Sequence, residues 1–235
     1  MKRAALLFLL TLNVIAVPAF ADSDLFLIGF QGYDYESPNL DSSPGNGHYL
    51  VVGEGYKAVG FVTSFGDYLA PHVDLAANAY TYHYYDLTVQ TNTYYPEFDY
   101  LEVQFANAGR GRFYEDSYAA GPGAQYGVNP PNATAPSTFI DGTVILGGRI
   151  DNLSLAYDFG SGSGSFTGDM SFDEGALLTW IPVLQRNGWT LSGLAGGLNP
   201  SIPDGYSHQI NVQCRIPGTV PVTHRTWGAL KALYR

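Results

Sequence analysis

Residues 78–117 read NAYTYHYYDLTVQTNTYYPEFDYLEVQFANAGRGRFYEDS, and their alternation decides the fold. Leu101, Val103 and Phe105 alternate with Glu102 and Gln104. A period of two gives a strand one apolar and one polar face. In the strand before it, Tyr85, Leu87 and Val89 belong to the same inner face, with Asp86, Thr88 and Gln90 outside. Unbroken alternation then places Tyr80, Tyr82 and Tyr84 on the outward face, a three-tyrosine stripe that is the candidate aromatic binding platform. A β-bulge near Tyr84-Tyr85 reverses the phase and buries the stripe instead. The register of one strand therefore separates a binding face from a core.

The same grammar extends in both directions. Residues 25–30 (LFLIGF) form a continuous apolar run that suits a buried strand, and YDYESPNLDSSPGNGH from Tyr33 reads as loop because Pro38, Pro44, Gly45 and Gly47 break any period. Residues 49–52 and 58–65 read as strands. Residues 119–137, rich in Gly, Pro, Ala and Asn, form a long loop, and a strand follows over 139–146. Leu153, Leu155, Tyr157 and Phe159 alternate with polar residues, and Phe166, Met170 and Phe172 recur at even spacing beyond GSGSGS (160–165), which together predict a hairpin. The glycine-serine tip lacks the Lys-Ser/Thr of a phosphate loop and lies between strands. Residues 176–184 and 188–194 supply apolar bulk, with Pro182 keeping the first off a central strand position. His208, Ile210, Val212, Cys214 and Ile216 alternate with polar residues, so the single cysteine, which has no internal disulfide partner, reads as a buried small hydrophobe, with an intermolecular disulfide or a reactive thiol as the alternative. Short strands without intervening helices predict an antiparallel all-β domain. The expected architecture is a two-sheet β-sandwich of jelly-roll type, with a closed β-barrel as the alternative.

The ends carry different chemistry. Lys2 and Arg3, the apolar residues 4–17 and Ala19-Phe20-Ala21 form a secretory signal peptide over 1–21. That places the protein outside the cell or on its surface. Residues 22–216 are then one β domain, a length that such domains often reach, and 217–235 form a short basic tail. The net charge of −10 argues against nucleic acid, which selects basic surfaces. It leaves neutral glycans, proteins or further copies of the chain as partners. No second apolar stretch is long enough to cross a bilayer as a helix.

In the tail, Trp227, Leu230, Leu233 and Tyr234 present a small apolar face beside Arg225, Lys231 and Arg235. Thr226-Trp227-Gly228-x-Leu230-Lys231-x-Leu233-Tyr234-Arg235 resembles the short tails of some secreted bacterial proteins. The body, with TFIDGTVILGGRI over 138–150, resembles secreted bacterial domains that end in a sorting or anchoring segment. The tail departs from the exosortase-type pattern: Pro221-Val222-Thr223 stands where Pro-Glu-Pro is required, and the membrane helix is missing. The resemblance implies a docking, sorting or assembly role for Trp227, Leu230, Lys231, Tyr234 and Arg235.

No catalytic constellation is legible. Read as strand, His72 and Asp74 share a face and are spaced to chelate a metal, whereas His83 and Asp86 fall on opposite faces; the cupin-type His-x-His…Glu arrangement is missing, and no metal ligand set is assignable. A structural calcium ion would draw on loop carboxylates among Asp67, Glu115, Asp116, Asp141, Asp151, Asp169 and Asp173, which lack the spacing of a calcium loop. No other cofactor is implied. Glu102 and Asp99 point to opposite faces, which does not suit paired-carboxylate glycoside hydrolysis, and no Gly-x-Ser-x-Gly elbow occurs. Asn132 and Asn152 head incidental glycosylation triplets. The expected function is a non-catalytic extracellular or cell-surface protein with a structural, matrix or assembly role. A carbohydrate-binding module using Tyr80, Tyr82 and Tyr84 is the alternative, and a secreted hydrolase the third reading.

Overall fold

The structure, a computed structural model, describes residues 25–40, 50–117, 139–196, 202–203 and 205–216. These fall within one compact unit, Asp24–Pro217. Among the described residues it has nine strands: β1 (Leu25–Glu36), β2 (Gly55–Phe65), β3 (Asn78–Tyr95), β4 (Tyr100–Phe105), β5 (Gly109–Ser117), β6 (Thr143–Asp158), β7 (Ser163–Glu174), β8 (Trp189–Gly196) and β9 (His208–Ile216). All pairings are antiparallel, and β1 pairs with both β2 and β9. β4 and β5 both lie between β3 and β6: β4 pairs with the C-terminal halves of those strands and β5 with their N-terminal halves. They are two pieces of one stave. The result is a closed, eight-stave, up-and-down barrel.

This corrects the expected two-sheet sandwich and matches its alternative. Period-two alternation and turn spacing are the same in both architectures. What separates them is one long-range pairing, Leu25 with Ile216 through Asp34 with His208, which joins the first strand to the last. Closure removes the sheet edges that a sandwich leaves open.

Concerted bulges hold the long strands to the barrel. In β3 an extra residue sits between Tyr84 and Leu87, with Asp86 at φ 56°. In β6 the register slips between Asp151 and Ser154, with Asn152 at φ 52°. Asp and Asn enter this left-handed region more readily than other non-glycine residues. Asn107, in the break between β4 and β5, accepts a 2.7 Å hydrogen bond from the Asn152 amide, and Asn152 Nδ2 donates to Asp169 at 2.7 Å. Each bulge shifts the inward set by one residue. In β3 it passes from Tyr80, Tyr82 and Tyr84 to Leu87 and Val89, and in β6 from Leu146 and Ile150 to Leu153, Leu155 and Tyr157.

The interior is filled by side chains. Phe30 packs on Tyr82, Tyr84 and Phe113 at ring-centroid distances of 4.5, 5.4 and 5.5 Å. Gly111 on β5 leaves room for them, since a Cβ there would meet the Tyr84 ring at 2.7 Å. Cys214 is buried, its sulfur 4.0 Å from that of Met170, and burial pushes its thiol pKa far up. A second, smaller core lies outside the barrel wall. Tyr35 and Val59, outward on β1 and β2, are buried under Phe139 and Tyr206.

Other local expectations shift. Tyr33–Glu36, read as loop, completes β1, and residues 50–52 are not strand. Phe139 precedes β6, whose first residue is Thr143, and acts as a plug on the outer wall. Ala176–Trp180 and Val183–Gln185 form 3-10 turns with Trp180 and Leu184 exposed. No helix among the described residues is long and apolar enough to cross a membrane.

Candidate functional site

The tyrosine stripe is not a platform. Tyr80, Tyr82 and Tyr84 are 2%, 0% and 3% exposed, because the bulge at Tyr85-Asp86 sets their phase inward. The Tyr80 hydroxyl donates to Glu115 at 2.7 Å, and Tyr82 Oη is buried without a partner among the described residues. Tyr85, expected inside, is half-buried on the outer side, stacked on His83 at 4.9 Å with the Arg112 guanidinium 5.7 Å above its ring. The tail residues Trp227, Leu230, Lys231, Tyr234 and Arg235 lie outside the described residues.

The other sequence candidates are dispersed. His72 stacks on Trp180 at 3.6 Å, while Asp74 accepts hydrogen bonds from the Ala76 and Ala77 amides. Asp151 pairs with Arg149, and Asp173 with Arg110 in a two-pronged ion pair that Glu174 and Arg112 extend. Asp99 accepts from the Tyr94 hydroxyl. No group of three His, Cys, Asp or Glu side chains placed to hold a metal ion occurs among the described residues.

Two arrangements remain. The first, inside the barrel where β1 meets β9 and β2, was missed as a constellation. Asp34 Oδ2 accepts from the Tyr56 hydroxyl at 2.7 Å, Oδ1 accepts from the His208 amide at 2.6 Å, and His208 Nδ1 lies 3.1 Å from both oxygens. The next inward carboxylate, Glu36, accepts from Ser207 Oγ at 2.8 and 2.9 Å. Burial works against protonated His208, but the charge and hydrogen bond of Asp34, with Glu36 beyond it, outweigh burial and raise its pKa. Burial raises the Glu36 pKa too, against the Ser207 hydrogen bond. The alternation Phe30-Gly32-Asp34-Glu36 signals these inward carboxylates, but a loop reading of Tyr33–Glu36 hides it. An Asp-His-Tyr set can move protons, yet the adjoining void, lined by Tyr56, Tyr84, Phe105, Leu155 and Ile210, measures about 10 Å3. That is room for about one water. The network ties three staves together.

The second arrangement is a groove of about 430 Å3 on the outer wall. Two register rows make its floor. Gln104, Ser154, Thr167 and Ser192 stand side by side across β4, β6, β7 and β8, and Glu102, Ala156 and Ser165 form the row beside them. The volume lies within the range of ligand sites. Short outward side chains create the concavity. At the Glu102 end, Tyr100 lies two residues away on the same face, and the Tyr95 hydroxyl donates to Glu102 at 3.3 Å. The two tyrosine rings are 6.1 Å apart. The Glu102 charge raises the Tyr95 phenol pKa.

Comparison with protein-family models, with curated proteins and with solved structures finds no match.

Proposed function

We propose that this chain is an exported, non-catalytic binding protein whose barrel is a rigid scaffold and whose working surface is the outer wall at β4 and β6–β8. The observation that carries the reading is the contrast in space: an interior void of about 10 Å3 against an outer groove of about 430 Å3. A packed barrel presents ligands with its wall. The polar outer sides of β7 (Ser163, Ser165, Thr167, Asp169) and β9 (Gln209, Asn211, Gln213) suit water, whereas a lipid-facing barrel turns apolar residues outward. Glu102 is the one carboxylate among the groove-lining residues. Glycoside hydrolysis uses a pair, so the groove suits retention of a ligand rather than its cleavage. Export rests on the basic, apolar and small-residue order of residues 1–21.

The test is titration of the purified mature protein with 1-anilinonaphthalene-8-sulfonate and with a long-chain fatty acid. Neither should bind saturably at pH 7. Stoichiometric uptake of either would make the barrel an interior carrier and end the outer-wall reading.

A further inference from the structure

We propose, resting on the outer-wall reading above, that the groove binds an uncharged oligosaccharide strand laid across β4, β6, β7 and β8, with one ring against the Tyr95–Tyr100 pair. The lining decides the ligand class. Ser154, Ser165, Thr167 and Ser192 offer hydroxyls that donate and accept, Gln104 offers an amide that does both, and Glu102 accepts. Side chains on adjacent strands recur about every 4.8 Å. A polymer bearing hydroxyls on every ring can meet such a row ring after ring.

Tyr95 and Tyr100 supply what hydroxyls lack, an apolar face for the C–H side of a sugar ring. Both lie on the outer side next to Glu102, and Tyr95 is held there by its hydrogen bond to that carboxylate. The charge selects against acidic glycans: Glu97 and Asp99 lie in the β3–β4 turn beside Glu102, and the chain carries −10 overall.

A protein partner fits less well. Protein interfaces are anchored by aromatic and large apolar side chains in their buried centre. Here the lining between β6 and β7 is Ser154, Ala156, Ser165 and Thr167, and the one exposed large apolar side chain of these rows, Leu194, stands at their β8 end. Strand addition, the other route to a protein partner, needs a free sheet edge. The closed barrel offers none between β4 and β8.

The experiment is affinity retention of the mature protein on cellulose, chitin and β-glucan, with alginate and chondroitin sulfate as anionic controls. Ser165→Trp fills the groove and Tyr95→Ala removes the stacking face, and circular dichroism checks that both variants keep the strand signal. The expected result is retention on at least one neutral polymer, poor retention on the anionic ones, and about tenfold weaker retention for each variant. Passage of folded wild-type protein through every neutral polymer would overturn the proposal. Retention unchanged in both variants would overturn it equally, by placing the glycan elsewhere. Neither outcome touches the outer-wall reading, which stands or falls with the interior probes.

Discussion

On β1 and β2 the outward side chains include Tyr33, Tyr35, Val59 and Phe61; on β7 and β8 they include Ser165, Thr167 and Ser192, with Leu194 exposed at the β8 end of the Ser165 row. The two sides of the barrel obey the same alternation and share one interior. On the first, Phe139 and Tyr206 close over the wall, with Phe61–Phe139 and Tyr33–Tyr206 ring distances of 5.6 and 5.2 Å. Thr81 Oγ1 donates to the Phe139 carbonyl at 2.7 Å, pinning the cover to β3. On the second, the hydroxyls stay open and leave a groove. The comparison teaches that a barrel wall is finished by its outward residues: apolar ones recruit a cover for stability, and small polar ones leave a surface for ligands.

Removing the cover is the strongest way to break that contrast. Phe139→Ala deletes the buried ring at the centre of the outer core. A change of that kind costs about 3–5 kcal/mol, read as a lower urea midpoint. A shift under about 1 kcal/mol, the level of surface substitutions, would show that the cover does not stabilise the wall.

A smaller effect appears as pH dependence, with opposite signs for two histidines. His83, outward on the covered side, has its pKa lowered to about 4, by burial first and then by Lys57 and Arg112. The unfolded chain therefore takes up a proton that the folded one refuses, and His83 costs stability as pH falls from 6.5 toward 4. His208, inside the barrel, has a raised pKa. Its contribution is complete below the unfolded value of about 6.5 and is lost as pH rises through the raised folded value. Thermal melts across pH 4–9 should show a shallower acid limb in His83→Gln and a shallower alkaline limb in His208→Gln. Parallel curves for wild type and both variants would refute the assignment.

The smallest effect belongs to the open side. Thr167→Ala removes an exposed hydroxyl from the groove floor and should change stability by less than about 0.5 kcal/mol, measured by the same urea titration. A loss approaching that of Phe139→Ala would mean that the floor is part of the fold.

Much of the strand grammar was readable from local alternation. Leu101, Val103 and Phe105, Leu153, Leu155 and Tyr157, and the Cys214 strand all face inward as their period requires. The bulge beside Tyr84 was one of two readings of β3, and nothing local to the stripe chose between them. Choice came from partners distant in sequence: Tyr56 opposite Leu87 and Ala58 opposite Tyr84 leave one residue of β3 unmatched. Closure has the same character, since no residue of Leu25–Glu36 announces that β9 will pair with it. Asp34 and His208 meet across 174 residues of chain, and the groove is the sum of short side chains on four strands. Each is invisible until the register is known.

The seam between β1 and β9 also sets an order of events in time. The first strand to leave the ribosome has its closing partner at the far end of the domain, so β1 waits for nearly the whole chain before the barrel can seal. Architectures dominated by such distant pairings fold slowly, because loop closure must be met before contacts reward it. Under the export proposed above, that delay is useful: the polypeptide stays extensible during passage and locks once its last strand has arrived.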